Sequence, residues 1–170
     1  VIIEDYGKGV ITPRLLRDVL KLAKKHKKIV TVDPKEEHFH YYKGVTSITP
    51  NHHEASRAIG IKVKDDRSLL KIGRILLKKL RSESVLVTLG ENGMMLFDKN
   101  NRITHIPTEA QDVFDVSGAG DTVIGAFTLA LASKASMIDA ARISNIAAGI
   151  VVGKVGIATV TQKELLKRIR

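Results

Sequence analysis

The segment Gly118-Ala119-Gly120-Asp121-Thr122-Val123-Ile124-Gly125-Ala126 places three small residues directly before an acid and an apolar run. Small residues let a backbone approach an anion closely. A helix beginning here would present unsatisfied N–H groups and a partial positive charge to that anion. A phosphoryl group in transfer needs such stabilisation as charge spreads over its oxygens. The carboxylate of Asp121 would stand at the helix start, where it could take the proton from an attacking hydroxyl. The same residues have an ordinary use, because Gly-rich turns precede helices for packing alone and Asp is common in a first turn. Spacing by itself balances the two. Two other nucleotide loops are excluded: Gly-x-x-x-x-Gly-Lys is absent, and Gly118-x-Gly120 does not continue into a dinucleotide fingerprint.

The elements that must position this segment read as α/β. Val1–Ile3 is a short apolar run ended by acids and Gly7, as expected of a buried parallel strand. Thr12-Pro13 supplies an N-cap and first helical position, and an apolar stripe follows to about Lys28. Ile29–Val32 is a second strand, stopped by Asp33-Pro34, and the strand-helix-strand unit predicts a right-handed parallel crossover. Residues 35–44 predict a loop or irregular helical turn, and Val45–Thr49 a third strand. Asn51 caps a helix to about Ile59, with Glu54 at capping-box spacing. Asp65 or Asp66 caps the next helix, whose stripe runs from Leu69 to Leu80. Ser84–Leu89, Met94–Phe97 and Ile103–Ile106 predict a meander at the sheet edge. Helices are expected at about 119–132, 137–152 and 162–169. The whole predicts a largely parallel sheet covered by helices.

Composition agrees with one domain. The chain has 170 residues, 44% hydrophobic and only 4% aromatic, so the core must be aliphatic. Cys is absent, which excludes disulfides, thiolate nucleophiles and Cys-based zinc sites. The net charge of +10 raises the question of nucleic acid. Its cations concentrate in 21–28 and 71–81, toward predicted helix ends where the dipole favours them, with no interleaved aromatics to stack on bases. Solvated helix faces that draw in anionic substrates are the better reading. The spacing of His38, His40, His52, His53 and His105 matches no helical zinc motif. No apolar run approaches the ~20 residues of a membrane span. Val1-Ile2-Ile3 reads as a strand entered midway, so an N-terminal part is expected to be missing.

Asp115-Val116-Ser117-Gly118-Ala119-Gly120-Asp121 resembles the C-terminal signature of the PfkB, or ribokinase-like, carbohydrate kinases, Asp-Thr-x-Gly-Ala-Gly-Asp, with Val116 where Thr is commonest. The resemblance implies that Asp121 is the catalytic base and that the amides of Gly118, Ala119 and Gly120 form an anion hole for the γ-phosphate of ATP. Asn51-His52-His53-Glu54 matches the family's Asn-x-x-Glu motif, which positions Mg²⁺; a helix cap is the other role, compatible with the first. Val87-Thr88-Leu89-Gly90-x-x-Gly93 resembles the strand-turn segment beside the nucleotide, implicating Thr88, Gly90 and Gly93; an ordinary hairpin turn is the alternative. Asn145 falls on the helix that borders adenine in the family, unless it is simply exposed. Asp115, with the chain near Gly153–Gly156, would border a monovalent-cation (K⁺) site. Lys35 and Lys8 are candidate anion contacts for ATP or a sugar phosphate; a solvated Lys, the more frequent case for any single Lys, is the alternative.

Asp5-Tyr6-Gly7-Lys8-Gly9, Val32-Asp33-Pro34-Lys35, Ile48-Thr49-Pro50-Asn51 and the run from Ala148 to Gly156 resemble one branch, the heptose-phosphate kinases, which includes the kinase domain of bifunctional ADP-heptose synthases of lipopolysaccharide-core synthesis. That resemblance implies ATP-dependent phosphorylation of D-glycero-β-D-manno-heptose 7-phosphate at O1, giving the 1,7-bisphosphate. It further implies a three-layer ribokinase-like fold, with residues 1–170 forming the C-terminal, nucleotide-binding and catalytic portion. The N-terminal part, with most of the sugar site, a β lid and the contact of a homodimer, would lie outside the chain. A cytoplasmic enzyme with no nucleic-acid or membrane partner is expected. The alternatives are another PfkB-type sugar or nucleoside kinase and a basic nucleic-acid-binding α/β domain.

Overall fold

The computed structural model describes residues 1–110 and 112–169. Six strands form one sheet in the order β1-β2-β3-β4-β5-β6. The strands are β1 (Ile2–Glu4), β2 (Thr31–Asp33), β3 (Ser47–Ile48), β4 (Ser84–Thr88), β5 (Met94–Asp98) and β6 (Ile103–Ile106). The first four pair in parallel, and β4-β5-β6 form the antiparallel meander expected at one edge. The helices are α1 (Pro13–Lys25), α2 (His52–Ile59), α3 (Asp66–Leu80), α4 (Ala119–Ala132), α5 (Met137–Val152) and α6 (Gln162–Arg168). A 3-10 helix, Glu36–Tyr41, occupies the irregular segment after β2.

Period-two alternation sends successive strand residues to opposite faces. Val85 and Val87 of β4, with Met95 and Phe97 of β5, join a core beneath Leu16 of α1, Ala55 of α2 and Ile72 and Leu76 of α3. Leu86, Met94 and Leu96 point the other way, into a core with Val123 and Phe127 of α4 and Ala140 and Ala141 of α5. The result is three layers, with α1–α3 below and α4–α5 above. On the upper face the strands also offer hydroxyls. Thr31 and Thr128 of α4 are 2.6 Å apart, oxygen to oxygen, and Ser84 donates to Ser47 at 2.8 Å. The enclosed Thr31–Thr128 link fixes where α4 lies along the sheet, and the Ser84–Ser47 bond ties β4 to β3, because a buried hydroxyl without a partner is costly.

Local chemistry sets the helix starts. The Thr12 hydroxyl accepts from Leu15 N–H, with Pro13 in the first turn. Asn51, Asp65 and Thr161 each complete a reciprocal capping box, with Glu54, Ser68 and Glu164. Helix α4 differs: its N-cap is Gly118 at φ 76°, with no side-chain cap.

Candidate active site

Strand register brings the first acids together. Glu4 on β1 is the lateral partner of Asp33 on β2, so both carboxylates leave the C-terminal ends of parallel strands on the α4 face. Ligand sites of open α/β sheets lie at such ends. The first turn of α4 descends on the pair, and oxygens of Glu4, Asp33 and Asp121 all lie within 4.8 Å of one another. Thr49, buried at the end of β3, donates to Asp33 Oδ1 at 3.2 Å. Tyr6 donates its hydroxyl to Asp121 Oδ1 at 3.2 Å.

The amides sit beside this cluster. Ala119 N–H is bonded to Val116 O at 3.2 Å, closing the turn, and Thr122 N–H to Gly118 O at 3.0 Å. The N–H groups of Gly120 and Asp121 make no hydrogen bond among the described residues. Of the three amides implied by the signature, Ala119's is therefore engaged internally, those of Gly118 and Gly120 make no hydrogen bond among the described residues, and Asp121's joins them as a free donor. A Cβ on Gly120 would meet nothing within 4 Å, so its surroundings are open.

Across the sheet, Asn51 and Thr88 form an isolated parallel bridge that extends the β3-β4 pairing. Asn51 Oδ1 accepts from His53 and Glu54 N–H, both at 3.0 Å, while Asn51 N–H donates to Glu54 Oε2 at 2.8 Å. The cap is thus fully formed, and it uses one oxygen of Glu54 while leaving the other. Burial pushes the Glu54 carboxyl upward, and its charge acts on Asp33. Gly90 (φ 60°) opens the turn after β4 and Gly93 (φ 80°) closes it. A Cβ on Gly93 would overlap the carbonyl of Ile106 and lie 2.6 Å from Thr108 N, so the end of β6 packs directly on this glycine. Gly93→Ala should destabilise the fold by about 2–4 kcal/mol, from the backbone strain and the overlap together. Thermal melts of the variant would show it as a clear fall in Tm.

Helix α5 serves as a rail for the connection leading to the signature. Asn145 is buried rather than exposed, with 4% of its surface accessible, and donates from Nδ2 to Pro107 O at 2.6 Å. A Cβ on Gly149 would come within 2.9 Å of the Glu109 carbonyl carbon. Phe114 N–H donates to Val152 O at 2.8 Å. Asn145 therefore anchors the chain after β6 through its side chain. Asp115 Oδ1 accepts from Ser117 N–H at 2.8 Å, and hydrogen bonds from Ser117 and the Gly156 backbone hold its carboxyl below the usual range. The Lys35 stem lies against Gly7, and its ammonium is 4.0 Å from Glu37. His38 is bonded to Asp5, and no cluster of three histidines appears among the described residues.

The carboxylates resist being charged together. Burial, then Glu4 and Glu54, push Asp33 up to about 7. Burial and the charge of Asp121 raise Glu4. A hard divalent cation such as Mg²⁺ suits a set of oxygen donors in this state, because it removes the repulsion they otherwise bear. Asp33 also predicts a pH dependence. Its folded value exceeds its unfolded value, so its contribution to stability is complete below about pH 4 and is lost as pH rises through 7. Asp33→Asn should therefore stabilise the metal-free protein at pH 8 by about 2 kcal/mol, discounted for coupling within the cluster, and leave it unchanged near pH 4. Melts at the two pH values test this, and Mg²⁺ should raise the wild-type Tm at pH 8 more than that of the variant.

Sequence reasoning does not single out Glu4, Asp33, Thr49 or Tyr6 as site residues. Acids at the ends of two apolar runs separated by one helix are the available signal, but in sequence they read as strand terminators.

A helix start with free amides, set over carboxylates at the C-terminal ends of parallel strands, defines an α/β protein with hydrogen-bond donors suited to an anion at the place where open α/β sheets carry their ligand sites. The chain belongs to the pfkB family of carbohydrate kinases, whose profile matches residues 4–164. It is 45% identical over 166 residues to the bifunctional protein HldE of Geobacter sulfurreducens, covering 98% of this chain and 34% of that protein. It is 48% identical over 170 residues to the bifunctional protein HldE of Desulfatibacillum aliphaticivorans, covering 100% and 35%. The chain thus spans about a third of the length of these relatives. Arabidopsis thaliana ribokinase, solved with ribose and ATP, superposes with a TM-score of 0.86 at 24% identity over 100% of this chain and 55% of that one. The fold is accordingly ribokinase-like.

Proposed function

We propose that residues 1–170 form the nucleotide-binding and catalytic portion of an ATP-dependent sugar kinase whose acceptor is D-glycero-β-D-manno-heptose 7-phosphate, phosphorylated at O1. The observation that carries the reading is the meeting of Asp121 with free first-turn amides beside Glu4 and Asp33. The similarity to HldE proteins along nearly the whole chain supports the choice of acceptor. The net charge of +10 favours an anionic substrate.

In this reading the amides of Gly120 and Asp121, with Gly118 opening the turn, receive the γ-phosphoryl oxygens. Asp121 accepts the proton of the acceptor hydroxyl. Asp33 and Glu4 would offer oxygens to Mg²⁺, which when bound offsets phosphate charge, and Asn51 and Glu54 would position it indirectly, through its waters. Thr88, Gly90 and Gly93 border the nucleotide, and Lys35 faces an anionic group of ATP or acceptor. Asp115, kept ionised and adjoining the backbone at Gly156, would border a monovalent cation such as K⁺. Asn145 acts on the adenine side by fixing the chain that follows β6. The sugar is held mainly by parts of the protein beyond this chain, which also supply the contact of a homodimer. No described helix is long and apolar enough to cross a membrane. The reading is of a cytoplasmic enzyme.

The test is ADP release by the full-length protein with Mg·ATP and a panel of sugars and sugar phosphates. Turnover with the heptose 7-phosphate far above ribose, fructose 6-phosphate and nucleosides supports the assignment. Preference for another acceptor keeps the kinase and replaces the substrate, whereas inertness toward the whole panel overturns both.

A further inference from the structure

We infer that Tyr6 is a positioning residue for Asp121, holding one carboxylate oxygen so that the other is presented to the acceptor hydroxyl. The inference rests on the kinase reading above. It begins with strand alternation. Glu4 points toward α4, Asp5 toward the opposite face and Tyr6 back toward α4. The Tyr6 hydroxyl reaches Asp121 Oδ1 at 3.2 Å across 115 positions of sequence. It is the only hydrogen bond that the Asp121 side chain makes among the described residues. Without it Asp121 would be an exposed carboxylate pushed outward by Glu4 and Asp33, whose oxygens lie within 4.8 Å.

Tyr6 is itself 63% exposed, so packing of its ring does not fix it. Its backbone is held by a knot on the far side of the sheet. The Asp5 side chain, 1% exposed, receives Tyr42 Oη–H at 2.6 Å, His38 Nδ1 at 2.8 Å and Gly7 N–H at 2.9 Å. Tyr42 Oη in turn accepts from Lys35 N–H at 3.1 Å. A buried carboxylate with three donors is a rigid anchor. Gly7, at φ 67°, then turns the chain against the Lys35 stem. The residue between anchor and turn is Tyr6. The phenol is thus a donor on a rigid mount, aimed at the proposed base from the solvent side.

A phenol that contacts the sugar would raise the acceptor KM on removal, and one that only supports the loop would lower stability. A positioning residue instead lowers kcat at fixed KM, because the misplaced carboxylate affects only the proton-transfer step. Two measurements test this. The first needs no turnover: in a crystal structure of full-length Tyr6→Phe, the Asp121 carboxylate should leave the orientation it holds beside the phenol, with the backbone of residues 4–7 unmoved. The second is steady-state kinetics of full-length Tyr6→Phe, which keeps the ring and should lose about fivefold to tenfold in kcat with both KM values and Tm unchanged. An Asp121 carboxylate that keeps its orientation in Tyr6→Phe overturns the inference, as does a Tyr6→Phe enzyme with wild-type kcat or with its loss confined to KM. A wild-type protein inert toward every acceptor, with the Asp121 orientation still dependent on Tyr6, overturns the kinase reading and the catalytic role of Tyr6 with it, and differs visibly from either of those results.

Discussion

Asp121→Asn should fold, bind Mg·ATP with little change and transfer phosphate about 10³-fold more slowly. The substitution is nearly isosteric at an exposed first-turn position. Its amide oxygen can still accept the hydroxyl of Tyr6, so the contact that orients the side chain survives. The loss of basicity is what changes. A side-chain amide cannot take the acceptor proton, while the backbone N–H groups at positions 120 and 121 stay free for phosphate. Removing one of three crowded carboxylates relieves Glu4 and Asp33, so Tm should not fall. Calorimetry with Mg·ATP and a coupled assay of ADP release separate binding from chemistry. Turnover within a few-fold of wild type would move the base to another residue.

The second large effect is expected at Gly120. Gly120→Val adds a branched side chain where a Cβ meets nothing within 4 Å, and the position has ordinary helical φ. The fold should therefore tolerate it to within about 1 kcal/mol. The new methyls stand beside the unengaged amides of the α4 start, so the cost falls on the ligand. Losing one or two hydrogen bonds to an ionised phosphate, at ~1.5–3 kcal/mol each, raises the Kd for Mg·ATP about 100-fold. Gly120→Ala should fall between. Titrations of both variants beside wild type provide the check. Undiminished binding by the Val variant would place the phosphates somewhere other than this helix start.

Much of this architecture is legible in the sequence because its signals are local. Thr12-Pro13, the Asn51–Glu54 and Thr161–Glu164 pairs and the Gly-Ala-Gly-Asp turn each encode an element start within a few residues. The paired alternation of β4 and β5 encodes the edge meander in the same way. What stays hidden depends on register and docking. Nothing near Glu4 reveals that it lies beside Asp33, because that adjacency comes from pairing β1 with β2 across a whole crossover. Asp5 reads as the end of a strand, yet it is the most enclosed carboxylate of the upstream loop because Tyr42 and His38 fold over it. Asn145 offers either an adenine contact or a solvent-facing residue. Helix α5 is instead covered on the side facing the β6 exit, so the amide is buried and bonded to Pro107. Ala119 shows the limit at finer scale: a signature marks which residues form a turn, but not which amide that turn consumes.

The hydroxyl pair between Thr31 and Thr128 spans 97 positions, and the bond between Tyr6 and Asp121 spans 115. Contacts of such separation form late, after the loop-closure entropy of everything between them has been met. Pairing of β1 with β2 is enough to set Glu4 beside Asp33, whereas the unengaged amides and the third carboxylate join them only where α4 docks. The cluster is therefore only as well defined as the seating of α4 on the sheet, so any loosening of that one helix would separate the acids of the strands from the amides that face them.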